Sequence, residues 1–444
     1  MEKAGKPTVG IVSGGFERDA MATARAFGLP EFRYAQVPDV ISSLTPEKIE
    51  QEITDSFDQI VEVLTTSGGN GNSTSVKAKP SDLLKIDATD MYDAFQKMNR
   101  QFLEYRWGDG FPILPATPEK VQEMLKGTTR SPGDVITILE PGNGFATVEK
   151  IAINAVMAGC EPAHLPVLMA ACEAYTGLGT NARIMAMSTG PHAPLIVING
   201  PIVKEVGINF GRAAMGPGAQ SRHNIVLGRA LRLIMMNVGF CYPGDMDMDT
   251  MGTARKFSMC IAENEDQSPW EPFHVEKGFD INDSTVTIFA TRGEIDVNDL
   301  QNYTPEGVLN SMAYFGAIPG GEYLTHSHAG WDDPRDHLLL LCPEHANICG
   351  DAGWVKKAVR DYVHQHCTAS ALRLMNRARM LPDKMRPQWA WLLRLSDSEL
   401  DKLMLPVVET AKHFEILVLG GQAGKNQIVR NIAPPSIALI KDRA

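Results

Sequence analysis

The sequence predicts a mixed α/β (α+β) fold, in which a small N-terminal βαβα unit is linked to a large α/β domain. Short apolar runs at 195–198, 337–341 and 415–419 fit buried strands, and helical segments separate them. A Gly/Ser/Asn-rich stretch with nothing to bury divides the chain. These observations place a small domain at 1–66, a flexible linker at 67–79 and a large domain with the candidate site at 80–444.

The N-terminal unit has four predicted elements. They are a strand at 8–13, a helix at 17–27, a strand at 32–37 and a helix at 43–66. The last helix has Thr45 as its N-cap and Pro46 at its first position, which is a strong helix start. Two strands and two helices are too few to close a core. We therefore expect this unit to dock on another chain and to form a homo-oligomer or hetero-oligomer.

The large domain alternates strands and helices. Its predicted elements are strands at 195–198, 256–262, 285–290, 337–341 and 415–419, and helices at 222–237 and from Pro343 onward. Residues from about 370 to 399 are predicted to form a helical excursion on the surface.

Composition narrows the class of protein. The chain has 444 residues and a net charge of -11, without a basic block, so a nucleic-acid partner is not expected. Neither a signal sequence nor a run of about 18 apolar residues occurs, which predicts a soluble, cytoplasmic protein without a membrane partner. Seven scattered cysteines argue against a disulfide framework.

A tight corner at 159–162 joins two apolar helical runs. Gly159 suits a left-handed helix end, and Pro162 suits the first turn of the next helix. Cys160 and Glu161 would then lie at a helix N-terminus, where the helix dipole favours a thiolate. Both are candidate catalytic residues. The alternative is an ordinary helix–helix turn in which Cys160 is a small core residue.

A second candidate is an anion site. A Gly-Pro-Gly loop with Gly216 and Gly218 precedes a helix, so its backbone N–H groups would face a phosphate or carboxylate. Arg222 and Arg229 are two helical turns apart and share one face. The alternative is a glycine-rich turn with two solvated arginines.

Polar residues also follow predicted strands. Glu263 and Asn199 each leave the end of a buried strand, and His345 opens the helix after 337–341. Such positions gather around α/β active sites, so Glu263 and His345 are candidate acid–base groups and Asn199 a substrate contact. A solvated acidic turn explains Glu263 as well.

Histidines and aspartates are concentrated at 326–337. His326, His328 and His337 suit a transition metal, but their spacing matches no metal motif and a polar surface loop explains them equally. The loop at 420–425 lacks the residues of a Walker A motif, which excludes nucleotide-triphosphate hydrolysis on this ground.

Several sequence segments resemble those of a known family. TVEKIAINAVMAGCEPAHLPV, IVINGPI, MGPG, HNIVLGRALRL, SPWEP and PEHA span most of 110–365. They are similar to the C-terminal part of the UGSC family (seleno)proteins, named for a selenocysteine (or Cys)-Gly-Ser-Cys motif. The segment ARAFGLPEFRYAQVPDVISSLTPEKIEQEI is similar to the back half of the motif-bearing domain.

The resemblance implies thiol or selenol chemistry on small metabolites. The signature itself is missing, since no cysteine precedes Cys160. The site residues inside the matching phrases are Cys160, Glu161, Asn199, Gly216, Gly218, Asn224, Glu263 and His345.

Three functional hypotheses follow. The first is an enzyme, or the large subunit of one, that acts on a small anionic or acyl metabolite with thiol-linked chemistry at Cys160. The second is a metal-dependent hydrolase or lyase that uses His326, His328 and His337. The third is a non-catalytic subunit that scaffolds a partner carrying the missing motif.

Overall fold

The computed structural model describes most of the chain. The described residues are 7–29, 32–41, 44–66, 83–299, 301–317, 322–326, 337–375 and 382–443. The predicted linker at 67–79 and His328 lie outside these ranges.

The N-terminal unit has the predicted order of elements. They are β1 (Gly10–Ser13), α1 (Glu17–Ala26), β2 (Tyr34–Val37), α2 (Pro46–Asp55) and α3 (Phe57–Thr65). The strands pair in parallel. The prediction of one helix over 43–66 was wrong, because the chain breaks at Ser56. There ψ is 0°, and the Ser56 hydroxyl donates to the carbonyl of Gln36 at 3.4 Å.

This unit touches the rest of its own chain. The Asn143 side chain donates to the carbonyl of Ala26 at 3.0 Å, and the Arg183 guanidinium lies 4.4 Å from the centre of the Phe27 ring. On α3, Phe57 and Val61 remain exposed. Docking on a second chain stays a prediction.

The remaining part is a mixed α/β assembly, as predicted. Its elements up to the first long strand are α4 (Met91–Glu104), α5 (Pro118–Leu125), β3 (Val135–Leu139), β4 (Gly144–Thr147), α6 (Val148–Ala158), α7 (Leu165–Gly177), α8 (Thr180–Met187) and β5 (Ala193–Asn199). Then come α9 (Ile202–Val206), α10 (Arg222–Asn237), β6 (Cys260–Ala262), α11 (Phe273–Glu276), β7 (Thr285–Asn298), α12 (Pro305–Gly316), β8 (His337–Leu341) and α13 (Pro343–Asp351). The last are α14 (Lys356–His366), β9 (Thr368–Ser370), α15 (Ala371–Leu374), a helix at Asp397–Lys402, β10 (Met404–Pro406), β11 (Phe414–Val418), β12 (Lys425–Asn431) and β13 (Ser436–Leu439).

The central sheet has the strand order β11-β8-β12-β7-β5-β6, with β13 also on β7. β5 runs parallel to β6 and β11 parallel to β8, whereas the other pairs are antiparallel. The two outer strands meet where the amide of Asn264 donates to the carbonyl of Val418 at 2.8 Å. The sheet is therefore curled.

Alternation along the strands builds the core on both faces of the curled sheet. One face contributes a compact apolar cluster that includes Leu195, Ile261, Phe289, Leu340 and Leu417. Two larger clusters join the opposite face to the helices. Because side chains alternate with a period of two, Asn199 and Glu263 lie on the same face as Leu195 and Ile261.

Some predicted bounds differ from the structure. The strand expected at 256–262 covers only Cys260–Ala262, because Ala254–Lys256 forms a 3₁₀ turn capped by Thr253. The surface excursion contains a 3₁₀ segment at Pro387–Arg394. Among the described residues, none of the helices combines the length and apolar character needed to cross a bilayer.

Candidate functional site

Asn199 and Glu263 come together where β5 and β6 end. The Asn199 amide donates to Glu263 Oε2 at 2.6 Å and to Glu265 Oε1 at 2.9 Å. The Phe273 N–H donates to Glu263 Oε2 at 2.7 Å. Parallel strands bring their carboxyl ends to one edge, so two residues 64 apart in sequence form one polar cluster.

Glu263 is the titratable centre of this cluster. It is 2% exposed, and its second oxygen, Oε1, has no hydrogen-bond partner among the described residues. Burial raises the pKa of Glu263 to about 7, although the charge of Lys356 and the hydrogen bonds from Phe273 and Asn199 act in the opposite direction. A carboxyl group with a pKa near neutrality is suited to general acid–base chemistry.

Sequence reasoning missed His274, which lies beside this cluster. Its ring is fully buried, and its Nδ1 lies 3.7 Å from Glu265 Oε1, beyond hydrogen-bond distance. In the part of the chain that the structure describes, neither ring nitrogen has a hydrogen-bond partner. An unsatisfied buried imidazole is costly unless a ligand or water reaches it. His274 lies in the short helix α11, and no motif in that segment would have indicated a site residue.

A polar cleft of about 700 Å³ lies at the carboxyl ends of β6, β8 and β11. The residues that line it include Arg212, Asp266, Gln267, Glu344, Asn347 and Gln422. Its two acidic side chains are already engaged. Asp266 pairs with Lys204 at 2.6 Å, and Glu344 accepts from the Gly424 amide at 3.0 Å. Arg212 is exposed and has no carboxylate partner within the described ranges.

Asn264 connects Glu263 to the cleft. Its side chain donates to the carbonyl of Gly420 at 3.2 Å and to Gln267 at 2.9 Å. Gly420 precedes the wall formed by Gln422 and Ala423, and Gln267 belongs to the wall formed with Asp266. Glu263 itself is buried and does not line the cleft, and it is next in sequence to this residue that contacts both walls.

His345 is buried under the same wall as Glu344. Asn426 accepts from the Cys342 amide through Oδ1, which fixes the side-chain amide so that Nδ2 donates to His345 Nδ1 at 2.8 Å. Nδ1 is therefore an acceptor, and the ring proton lies on Nε2. This ring positions the start of α13 and does not line the cleft.

Cys160 lies at a helix end, but the expected thiolate is wrong. Gly159 ends α6 with φ at 90°, and the Cys160 amide bonds back to the carbonyl of Ala155. Cys160 therefore belongs to the C-terminal end of α6, where the dipole disfavours negative charge. Packing around the sulfur raises the pKa of Cys160 far above its usual range, against the lowering effect of Arg222.

Glu161 belongs to a second, partly buried polar cluster. It pairs with Arg222 at 2.6 Å, and its amide donates to His164 Nδ1 at 2.7 Å. The opposite nitrogen of His164 faces His223 at 2.9 Å. Burial and His223 lower the pKa of His164 to about 4. These contacts secure the corner between α6 and α7, away from the Glu263 cluster.

The structure does not bring the predicted anion-binding residues to one ligand position. Arg222 pairs with Glu161, whereas Arg229 makes two bonds to Asp109, at 2.7 and 2.9 Å. Gly216 and Gly218 have positive φ values of 82° and 140°, which explains glycine by backbone conformation alone.

Asn224 is also engaged within the fold. It accepts from the Asn209 amide and donates to the Asn209 carbonyl, each at 2.9 Å. Its side chain thereby fixes the loop before α10.

The three histidines predicted as metal ligands do not form a described cluster. His337 is buried in β8 against the Phe414 ring, and His326 is exposed. His328 lies outside the described residues. Within the described ranges, no three His, Cys, Asp or Glu side chains are grouped to hold a metal ion.

We expect Cys160 to react slowly with iodoacetamide at pH 7, because the raised pKa leaves little thiolate. Mass spectrometry of folded and denatured protein gives the rate at each cysteine. Labelling of folded Cys160 as fast as in the denatured chain would contradict this.

Comparison with known proteins identifies a family for the first segment. Residues 1–66 match the model of the UGSC family, which confirms the resemblance there and supports assigning this unit to that family. No curated protein and no solved structure matches the chain.

Proposed function

We propose that this protein is an enzyme that transfers a proton on a small anionic metabolite bound in the polar cleft. Glu263 is the general acid–base group, and because it is buried and does not line the cleft, a local opening of the cleft has to bring the metabolite to it. The observation that carries the proposal is its carboxyl group, with Oε2 fixed by two donors, Oε1 without a partner among the described residues, and a pKa raised to about 7.

The fixed geometry gives each residue a role. Asn199 and the Phe273 amide hold Oε2, so that the proton is exchanged at Oε1. A pKa near 7 lets the same carboxyl group accept a proton in one step and return it in the next at neutral pH. The step changes no oxidation state and needs no further reactant.

Arg212 supports the choice of an anionic substrate. The acidic side chains that line the cleft already have partners, whereas this guanidinium has donors to offer. A bidentate bond to carboxylate or phosphate is the interaction that guanidinium favours. Arg212 would therefore orient an anion in the cleft through this bond.

The earlier role of Cys160 as nucleophile is not part of this proposal, since its raised pKa works against a thiolate. His345 is a positioning residue here, because Asn426 already occupies its Nδ1.

The substrate is sought with a panel of small carboxylates and phosphorylated metabolites, ranked by thermal shift and then titrated by calorimetry. Arg212→Ala should weaken the best ligand about ten- to a hundredfold, since losing a charged hydrogen bond costs about 1.5–3 kcal/mol.

The matched control is the exposed Arg394→Ala, which lies outside the cleft. It removes the same charge and should leave the affinity unchanged. Equal weakening by both variants would show general electrostatic attraction, and an unaltered affinity in Arg212→Ala would reject the cleft.

A further inference from the structure

A second cavity of about 700 Å³ lies apart from the polar cleft. It is formed by the end of α4, by α10 and by the segment 242–257, and its lining includes Arg106, Asp109, Asp247, Lys256 and Phe257. None of the residues assigned to proton transfer lines it.

The aspartates of this cavity are each paired with a cation. Both Asp109 oxygens accept from Arg229. Asp247 accepts from Arg232 at 2.9 Å and from Lys256 at 2.7 Å. Asp249 accepts from the Gly252 amide through one oxygen and pairs with Lys256 through the other.

One of the cations also has a hydrogen-bond donor that is not used within the fold. Lys256 carries three ammonium hydrogens and contacts two carboxylates, so one N–H remains within the described structure. Each cation is nevertheless balanced by a carboxylate: Arg232 and Lys256 by Asp247 and Asp249, and Arg106 by Asp245. The cavity therefore offers an unused hydrogen-bond donor, and its lining carries no net charge.

Apolar side chains complete the wall. Phe257 is 44% exposed at the cavity and meets the Phe111 ring edge-on at 4.9 Å between centroids. Met236, Met251 and Leu103 also line the cavity. A ligand pocket typically combines such an apolar wall with a few convergent polar groups.

We propose that this cavity binds a neutral small molecule with an apolar or aromatic body and a carbonyl oxygen. The oxygen accepts the spare Lys256 N–H, and the body packs on Phe257. Neither an anion nor a cation would gain net attraction from these balanced charges.

The probes are acetophenone and its near-isostere α-methylstyrene, which replaces the oxygen by CH₂. Saturation-transfer NMR titration of the full chain should show tighter binding of acetophenone by about tenfold or more, the worth of one hydrogen bond from a charged donor. Benzylammonium should bind more weakly than acetophenone, because the paired charges give a cation no net attraction. Equal affinity for acetophenone and α-methylstyrene, or no acetophenone binding at 10 mM (a chosen ceiling, about 2.7 kcal/mol of affinity), would overturn the proposal.

Variants locate the bound probe. Phe257→Ala should weaken acetophenone about two- to twelvefold, since an aromatic contact contributes roughly 0.5–1.5 kcal/mol beyond its buried area. The control is Phe145→Ala, which removes an exposed ring on β4 outside the cavity.

A third variant separates this inference from the proposed function. Arg212→Ala should leave acetophenone binding unchanged, because Arg212 lines only the polar cleft of the two cavities. Loss of acetophenone binding in Phe145→Ala or Arg212→Ala, with Phe257→Ala unaffected, would place the probe elsewhere and refute the assignment.

Discussion

Replacing Arg229 by alanine is expected to destabilise the folded protein by about 3–5 kcal/mol, the cost of leaving a buried charge without its partner. Asp109 is 2% exposed in its side chain and receives two bonds from Arg229, at 2.7 and 2.9 Å. Arg229 also donates to the carbonyls of Phe111 and Pro112, so it anchors the segment that precedes α5.

Arg222 is the matched control on the same helix. Its partner Glu161 is half exposed, and exposed pairs contribute at most about 1 kcal/mol. Urea unfolding of Arg222→Ala and Arg229→Ala measures both. Similar losses in the two variants would mean that the Asp109 pair is solvated, contrary to the structure.

Replacing Glu263 by glutamine is expected to stabilise the protein at alkaline pH. The folded pKa of about 7 lies above the unfolded value of 4.5, so folding favours the protonated form. The stability that protonation supplies is fully present below pH 4.5 and is lost as pH rises through 7. At pH 8 the ionised wild type should be less stable than Glu263→Gln by about 3 kcal/mol, relative to their difference at pH 4.5.

Unfolding by urea across this pH range measures the difference. The exposed Glu271→Gln removes a carboxylate from a nearby loop and should not reproduce the alkaline gain. A pH-independent difference between wild type and Glu263→Gln would remove the evidence for a neutral carboxyl group at this position.

Sequence patterns predicted much of the scaffold. The apolar runs at 195–198, 337–341 and 415–419 lie in strands of one sheet, which is what short, mainly apolar runs between helices indicate. The same reasoning brought Asn199 and Glu263 to neighbouring strand ends, where they bond directly. The local pattern of each strand was enough here, because the carboxyl ends of two parallel strands lie at the same edge of the sheet.

The sequence could not predict which distant side chains pair with the candidate site residues. The helical spacing of Arg222 and Arg229 was correct, but their carboxylate partners come from residues 61 and 120 positions away. A pattern on one helix cannot show which distant side chain meets it. Cys160 was misjudged for a related reason, since the corner at Gly159 continues the C-terminal end of α6.

The most direct test of the proposed acid–base centre is the titration of Glu263 itself. Selective ¹³C labelling of glutamate carboxyl groups, with Glu263→Gln to assign the resonance, reports its protonation by NMR. In the folded protein a midpoint near pH 7 is expected. A midpoint at or below 4.5, the ordinary value for glutamate, would contradict it.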